Sequence, residues 1–196
     1  MINAHRILVI ALCGVILTGC DSADNTSVAT VSIKLTDMPF PFDDADSANV
    51  VIQRVELIGS EDSTSSLVIS DSLQPFNLLD LQNGVTADLA SLDIPVGSYS
   101  QLRIVVLEDA SVVMKDSTSY NLKIPSGSET GIKINLSNFD LQEADSAIVT
   151  VDFNVEESFV VRGNPSTVKD IMGFIFKPVL KIESYSLNGV PQTVQE

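Results

Sequence analysis

Apolar side chains recur at every second residue along much of this chain, and that spacing admits few folds. Val31, Ile33 and Leu35 alternate with Ser32, Lys34 and Thr36, and Leu102, Ile104 and Val106 alternate with Gln101, Arg103 and Val105. Ile132, Ile134 and Leu136 are interleaved with Lys133, Asn135 and Ser137. Val149, Val151, Phe153 and Val155 are interleaved with Thr150, Asp152, Asn154 and Glu156. A period of two sends successive side chains to opposite faces of a strand, so each segment has one apolar face to bury and one largely polar face. Antiparallel sheets packed face to face satisfy strands of that kind. Further strands are expected at 49–58, 66–70, 74–79, 111–115, 120–124 and 173–184.

Turn chemistry separates these segments. Pro95-Val96-Gly97-Ser98 and Pro125-Ser126-Gly127 each supply a fixed φ followed by a residue free to take positive φ. Pro178 has no N–H to give a ladder, so it marks an edge position or a break in the last apolar run. Leu78, Leu81, Val85, Leu89 and Leu92 fall at helical spacings, but Asn83-Gly84 interrupts them, which predicts one or two short helical turns covering an end of the core. The fold expected is all-β: a single antiparallel β-sandwich of about seven to ten strands over residues 28–185, with a C-terminal tail at 186–196.

The N-terminus has a different character. Met1 to Arg6 is short and basic, Ile7 to Leu17 is apolar and too short to span a bilayer, and Leu17-Thr18-Gly19-Cys20 closes the segment. This is the pattern of a signal peptide, expected to be removed as residues 1–19. Leu-Thr-Gly-Cys resembles the lipobox of bacterial lipoproteins, in which the cysteine takes a diacylglycerol on sulfur and often a further acyl chain, such as palmitate, on its amino group. The resemblance implies lipidation at Cys20 and a membrane-lipid partner. Each buried methylene is worth about 0.8 kcal/mol and two chains suffice for a lasting anchor. Residues 20–27, small and polar beyond Cys20, read as a flexible tether. The expected location is the bacterial cell envelope, with the membrane and leaflet left open.

Composition then removes whole classes of chemistry. His5 is the only histidine, and Cys13 and Cys20 are the only cysteines. With the signal segment gone, the chain has no imidazole for a Ser-His-Asp system or a zinc site, and no pair for a disulfide. It is therefore expected to be no enzyme. A net charge of −15 repels nucleic acid. No tryptophan is present to stack on sugar rings.

Several blocks in register resemble one family. Leu35-Thr36-Asp37-Met38-Pro39, then Ala48 to Leu57 (Ala-Asn-Val-Val-Ile-Gln-Arg-Val-Glu-Leu), then Asn77-Leu78-Leu79-Asp80-Leu81-Gln82-Asn83-Gly84 look like the opening half of a bacterial lipoprotein domain known as domain of unknown function 4382. Ile94 to Ile104, Ile124-Pro125-Ser126-Gly127, Val151-Asp152-Phe153-Asn154 and Lys177-Pro178-Val179-Leu180 continue it in order. The Pro-x-Gly-x-Tyr turn also resembles those of transthyretin-like and immunoglobulin-like exported sandwiches. The resemblance implies an envelope lipoprotein with a β-sandwich and implies no activity.

Three constellations are candidates for function. Asp37, Asp43, Asp44 and Asp46 crowd into ten residues and offer the hard oxygen ligands that calcium prefers, although their spacing is not that of an EF-hand. Solvated turn aspartates, stiffened by Pro39 and Pro41, are the alternative. Phe40, Phe42 and Phe159 form a contact surface if exposed and core lids if buried. Asp152, with Glu156 and Glu157 nearby, is either an exposed strand carboxylate or half of a glycosidase pair. The leading expectation is a membrane-anchored, non-catalytic binding or structural module with an envelope protein or glycan partner. A calcium-assisted carbohydrate-binding or adhesion domain comes second, and a carboxylate-dependent glycan hydrolase third.

Overall fold

Strands form wherever the period of two runs unbroken. The computed structural model describes residues 27–37, 44–60, 66–122, 131–164 and 170–194. In chain order come β1 (Val28–Thr36), β2 (Ala45–Gly59), β3 (Ser66–Ser70), β4 (Gln74–Asn77) and a 3₁₀ turn at Leu78–Leu81. Then follow β5 (Ala87–Pro95), β6 (Gly97–Val106), β7 (Ala110–Met114), β8 (Ser119–Leu122), β9 (Ile132–Leu141) and β10 (Ser146–Phe153). The one-turn helix α1 (Val155–Ser158), β11 (Phe159–Gly163), β12 (Ile171–Phe176), β13 (Leu180–Leu187) and β14 (Val190–Pro191) complete it.

One sheet has the order β14-β13-β10-β1-β5, the other β8-β7-β2-β6-β9 with β3 and β4 also paired to β2, and β11 and β12 make a separate ribbon. The long strand β2 uses both of its edges. Asn49 faces Asn77 on one side and Ser111 on the other, and Val55 likewise lies between Ser70 and Ile104. Between the sheets the alternating residues meet. Val31, Ile33, Leu35, Val149, Val151 and Phe153 from one side and Val50, Ile52, Leu57, Leu102 and Ile104 from the other are all fully buried. Each is worth about 1.5–3 kcal/mol by removal from water.

The all-β sandwich expected from the alternation is the fold found, with differences in detail. Fourteen strands occur among the described residues, more than seven to ten. The pair β1–β10 runs parallel, from Thr30↔Ser146 to Thr36↔Asp152, so its sheet is mixed. The apolar run 173–184 breaks at Pro178 into β12 and β13. Of the expected helical turns, the 3₁₀ turn alone forms in this region, started by the Asn77 side chain accepting from the Leu79 amide, and residues from Ala87 onward are strand. Residues 186–194 belong partly to the sheet: β13 runs to Leu187, β14 folds back on it, and Val194 packs against the core.

The two ends of the sandwich differ. Where β1 begins, the Ser27 carbonyl accepts from Val96 N at 3.2 Å and the Val28 carbonyl from Ala144 N at 2.9 Å. The Pro95 turn there is pinned by Tyr99, whose Oη donates to the Pro95 carbonyl at 2.8 Å, four residues upstream as in the tyrosine corners of other sandwiches. Nearby, the Asn188 side chain and the Gln142 amide donate to the Asp145 carboxylate and hold its pKa below the ordinary aspartate value. At the other end of β1, about 30 Å away at the usual rise per residue, lie Thr36, Asp37 and the end of β10.

Candidate functional site

Burying Val31, Ile33 and Leu35 forces Ser32, Lys34 and Thr36 onto the outer face of the five-stranded sheet, and burying Val149 and Val151 does the same for Ile148, Thr150 and Asp152. The register sets Lys34 beside Asp88, Thr36 beside Asp152 and Thr150 beside Ser184. Cross-strand pairs tie this face together. Thr30 Oγ1 donates to Asp93 at 2.7 Å, the Ser32 and Ser91 hydroxyls lie 3.0 Å apart, and Lys34 Nζ is 2.6 Å from Asp88. That ion pair is largely exposed, so it positions more than it stabilises.

Two cavities follow β1 along this face. One, of about 290 Å³, is lined by Ser32, Lys34, Asp88, Ser91 and Ile148 among others. The next, of about 440 Å³, is lined by residues that include Thr36, Asp37, Thr150, Asp152 and Glu183. Lys34 and Thr36 are successive residues on one face of β1, so the cavities adjoin as one groove. Both register shifts flanking β1 and β10 lie beside it, between Ile33 and Lys34 against β5 and between Thr150 and Val151 against β13. The extra residues are Leu89 and Glu183. A bulge bends its strand and re-aims the side chain next to it, and here Glu183 is turned to the groove wall.

The far end is closed by the segment after the 3₁₀ turn. Thr36 Oγ1 donates to the carbonyls of Leu81, at 3.2 Å, and Val85, at 2.9 Å, and the Asp37 amide donates to the Leu81 carbonyl at 3.1 Å. This clamp holds the turn at Asn83 and Gly84, both with positive φ, against the end of β1. Thr36 and Asp37 are consequently buried, and Asp152, beside Thr36 across the β1–β10 pair, is buried as well.

The structure corrects several expectations drawn from the sequence. Asp37 is not a solvated turn aspartate, and Asp152 is not an exposed strand carboxylate. They are 4% and 3% exposed respectively: the Asp37 amide is bonded to the Leu81 carbonyl, and Asp152 lies between Thr36 of β1 and Lys181 of β13. Asp44 and Asp46 are exposed at the start of β2, where the Asp44 carbonyl accepts from Lys115 N. Asp43, Phe40, Phe42 and Cys20 lie outside the described residues. Among the described residues, no three His, Cys, Asp or Glu side chains are grouped to hold a metal ion. Phe159 is a core lid and not a contact surface: it is fully covered, its ring 4.7 Å from that of Phe176.

The carboxylates that share the groove with Asp152 are Asp37, Asp88 and Glu183, not Glu156 or Glu157. Glu157 is engaged elsewhere, accepting from Lys181 Nζ at 2.7 Å and from the Asn154 side chain at 3.0 Å, while Asn154 caps α1 through the Glu157 amide. Glu183, Thr150 and Ser184 were not foreseen as site residues. The polar phase of the strand 149–155 was a signal for Thr150, whereas nothing local marked Glu183 as a bulge.

Two comparisons find no counterpart and one does. The family model described as Domain of unknown function (DUF4382) matches residues 28–178. No curated protein and no solved structure matches the chain.

Proposed function

Since the chain belongs to the DUF4382 family, whose description assigns no chemistry, we propose that it is a non-catalytic binding module anchored in the bacterial cell envelope through acylated Cys20. The observation that carries this reading is the direction of β1. It begins at the tether end of the sandwich and runs toward the clamped, acidic end of the groove. A body held by lipid at Cys20, on seven residues of tether spanning at most about 25 Å, would present that end of the groove to the aqueous side. The residue inventory of the folded part, without imidazole or thiol, supports binding over nucleophilic or metal-assisted catalysis.

Expressed in full in a bacterial host, the protein is expected in the membrane fraction, released by detergent and retained through washes of high salt and high pH. Release by salt alone would leave only a peripheral association and would defeat the anchor. A calcium-assisted carbohydrate-binding or adhesion role is the second reading. It is favoured by one observation: Asp37, from the aspartate-rich loop, lines the same groove as Asp152 and Glu183.

A further inference from the structure

We infer that the open edge of β5, at Ser91–Asp93, takes an extended basic segment of another polypeptide as an added strand. The inference rests on reading the protein as a binding module, and it adds the kind of partner.

The ladder between β1 and β5 fixes which backbone groups are spare. Opposed residues of an antiparallel pair alternately exchange hydrogen bonds with each other and turn their N–H and C=O groups away. The Ser27 carbonyl accepts from Val96 N, so the exchanging pairs that follow are Ala29–Ile94 and Val31–Leu92. Thr30 fits the same phase, since its amide donates to the Asp145 carbonyl on the side of β10. Asp93, opposite Thr30, and Ser91, opposite Ser32, therefore direct their N–H and C=O groups away from β1. β5 is the last strand of its sheet, so those groups face an open edge.

The backbone on either side is capped. The Leu89 carbonyl accepts from Gln74 Nε2 at 2.9 Å, and the Pro95 carbonyl from Tyr99 Oη at 2.8 Å. Between these caps, the outward groups of Ser91 and Asp93 have no partner among the described residues. Ser91, Leu92 and Asp93 are all exposed, whereas a strand with one covered face alternates. Leu92 lies opposite the fully buried Val31, in the inward phase, and is still 42% exposed. Two N–H and two C=O groups, on residues about 7 Å apart at the strand rise, are the complement of another strand's backbone. An apolar side chain on that strand would cover Leu92.

Charge selects the partner. On the outer face of β5, Lys34 bridges Asp88, while Asp93 accepts from the neutral Thr30 hydroxyl. A second copy would bring its own Asp93 to this edge and a net charge of −15 to the contact. Like charges on an edge strand work against self-pairing. A strand carrying Lys or Arg beside Asp93 is attracted instead.

The test uses the full-length protein in detergent and an end-blocked octapeptide of alternating lysine and valine. A second peptide has glutamate in place of lysine. In calorimetry the lysine peptide is expected to bind, less tightly as salt is raised, and the glutamate peptide at least about tenfold more weakly. Ser91→Pro removes the outward N–H and leaves the β1 ladder whole, a change that edge strands accept. It is expected to weaken binding at least about tenfold, Asp93→Asn about threefold, and Ser91→Ala, which keeps the N–H, not at all. In the unmutated protein, hydrogen exchange at the Ser91 and Asp93 amides is expected to be fast, and to slow at least about tenfold when the lysine peptide is added. No binding, equal binding of the two peptides, no slowing at those amides, or a folded Ser91→Pro that binds as tightly would each overturn the inference. Amides already protected without peptide would also overturn it, in favour of a second copy where protection grows with protein concentration and of a segment of this chain where it does not. None of these outcomes touches the anchor, which detergent extraction tests independently.

Discussion

Phe176→Ala is expected to lower the melting temperature by about 10 °C in a calorimetric scan. Phe176 is fully buried. Its ring stacks on Phe153 of β10, with centroids 6.3 Å apart and planes 6° from parallel, and tilts against Phe159 of β11 at 4.7 Å. It therefore joins the two-stranded ribbon to the end of the main core, and removing it leaves a cavity at that joint. Losses of this kind cost about 3–5 kcal/mol, and a chain of this size loses about 2–4 °C per kcal/mol. Met172, on the same ribbon but 77% exposed, should tolerate alanine with almost no change. A fall of less than about 3 °C for Phe176→Ala would mean that the ribbon is not docked through its aromatic residues.

Gly163→Ala is expected to open the ribbon locally, with amides of β11 and β12 exchanging with solvent about a hundredfold faster. Gly163 has φ 105, and a methyl group built there would overlap the carbonyl oxygen of Asp170 and crowd Met172 N. That same carbonyl accepts from Asn164 N at 3.1 Å. A left-handed conformation costs a side chain about 1–2 kcal/mol, and displacing Asp170 forfeits a hydrogen bond worth about 1 kcal/mol. Together these approach the two factors of ten in exchange rate. Gly84, with φ 81 and no heavy atom within 4 Å of an added Cβ, isolates the conformational term. Its alanine variant should be milder by the hydrogen bond and the overlap. Equal effects at the two glycines would contradict this account of Gly163.

The contrast between the sheets and the groove shows what single-chain reading reaches. Val31, Ile33, Leu35, Val149, Val151 and Phe153 carry their burial in plain alternation, and all six are core. β5 does not show as a strand in the alternation, because the shift opposite Ile33 and Lys34 inserts Leu89 and changes the phase of its apolar residues. Leu89 and Ile94 are buried, while Leu92 between them is exposed at the sheet edge, and the spacing imitates a helix. The polar phase of each strand was equally visible, but not that two such phases would adjoin. That depends on the parallel pairing of β1 with β10, segments separated by most of the domain. Asp152 illustrates the point: its place on the outer face followed from alternation, whereas its burial accompanies long-range pairing with Thr36 of β1 and Lys181 of β13, which nothing local marks. For Asp37, Asp44 and Asp46, proximity in sequence was a poor guide, because the end of β1 and the start of β2 place the first in the groove and leave the others exposed.

The most direct test of the anchored module is mass spectrometry of the N-terminal peptide from protein extracted from membranes with detergent. The account predicts a chain starting at Cys20, with a diacylglyceryl thioether on its sulfur and, in hosts that complete the modification, an acyl group on its new amine. A chain that still begins at Met1, or a Cys20 bearing a free thiol, would contradict it.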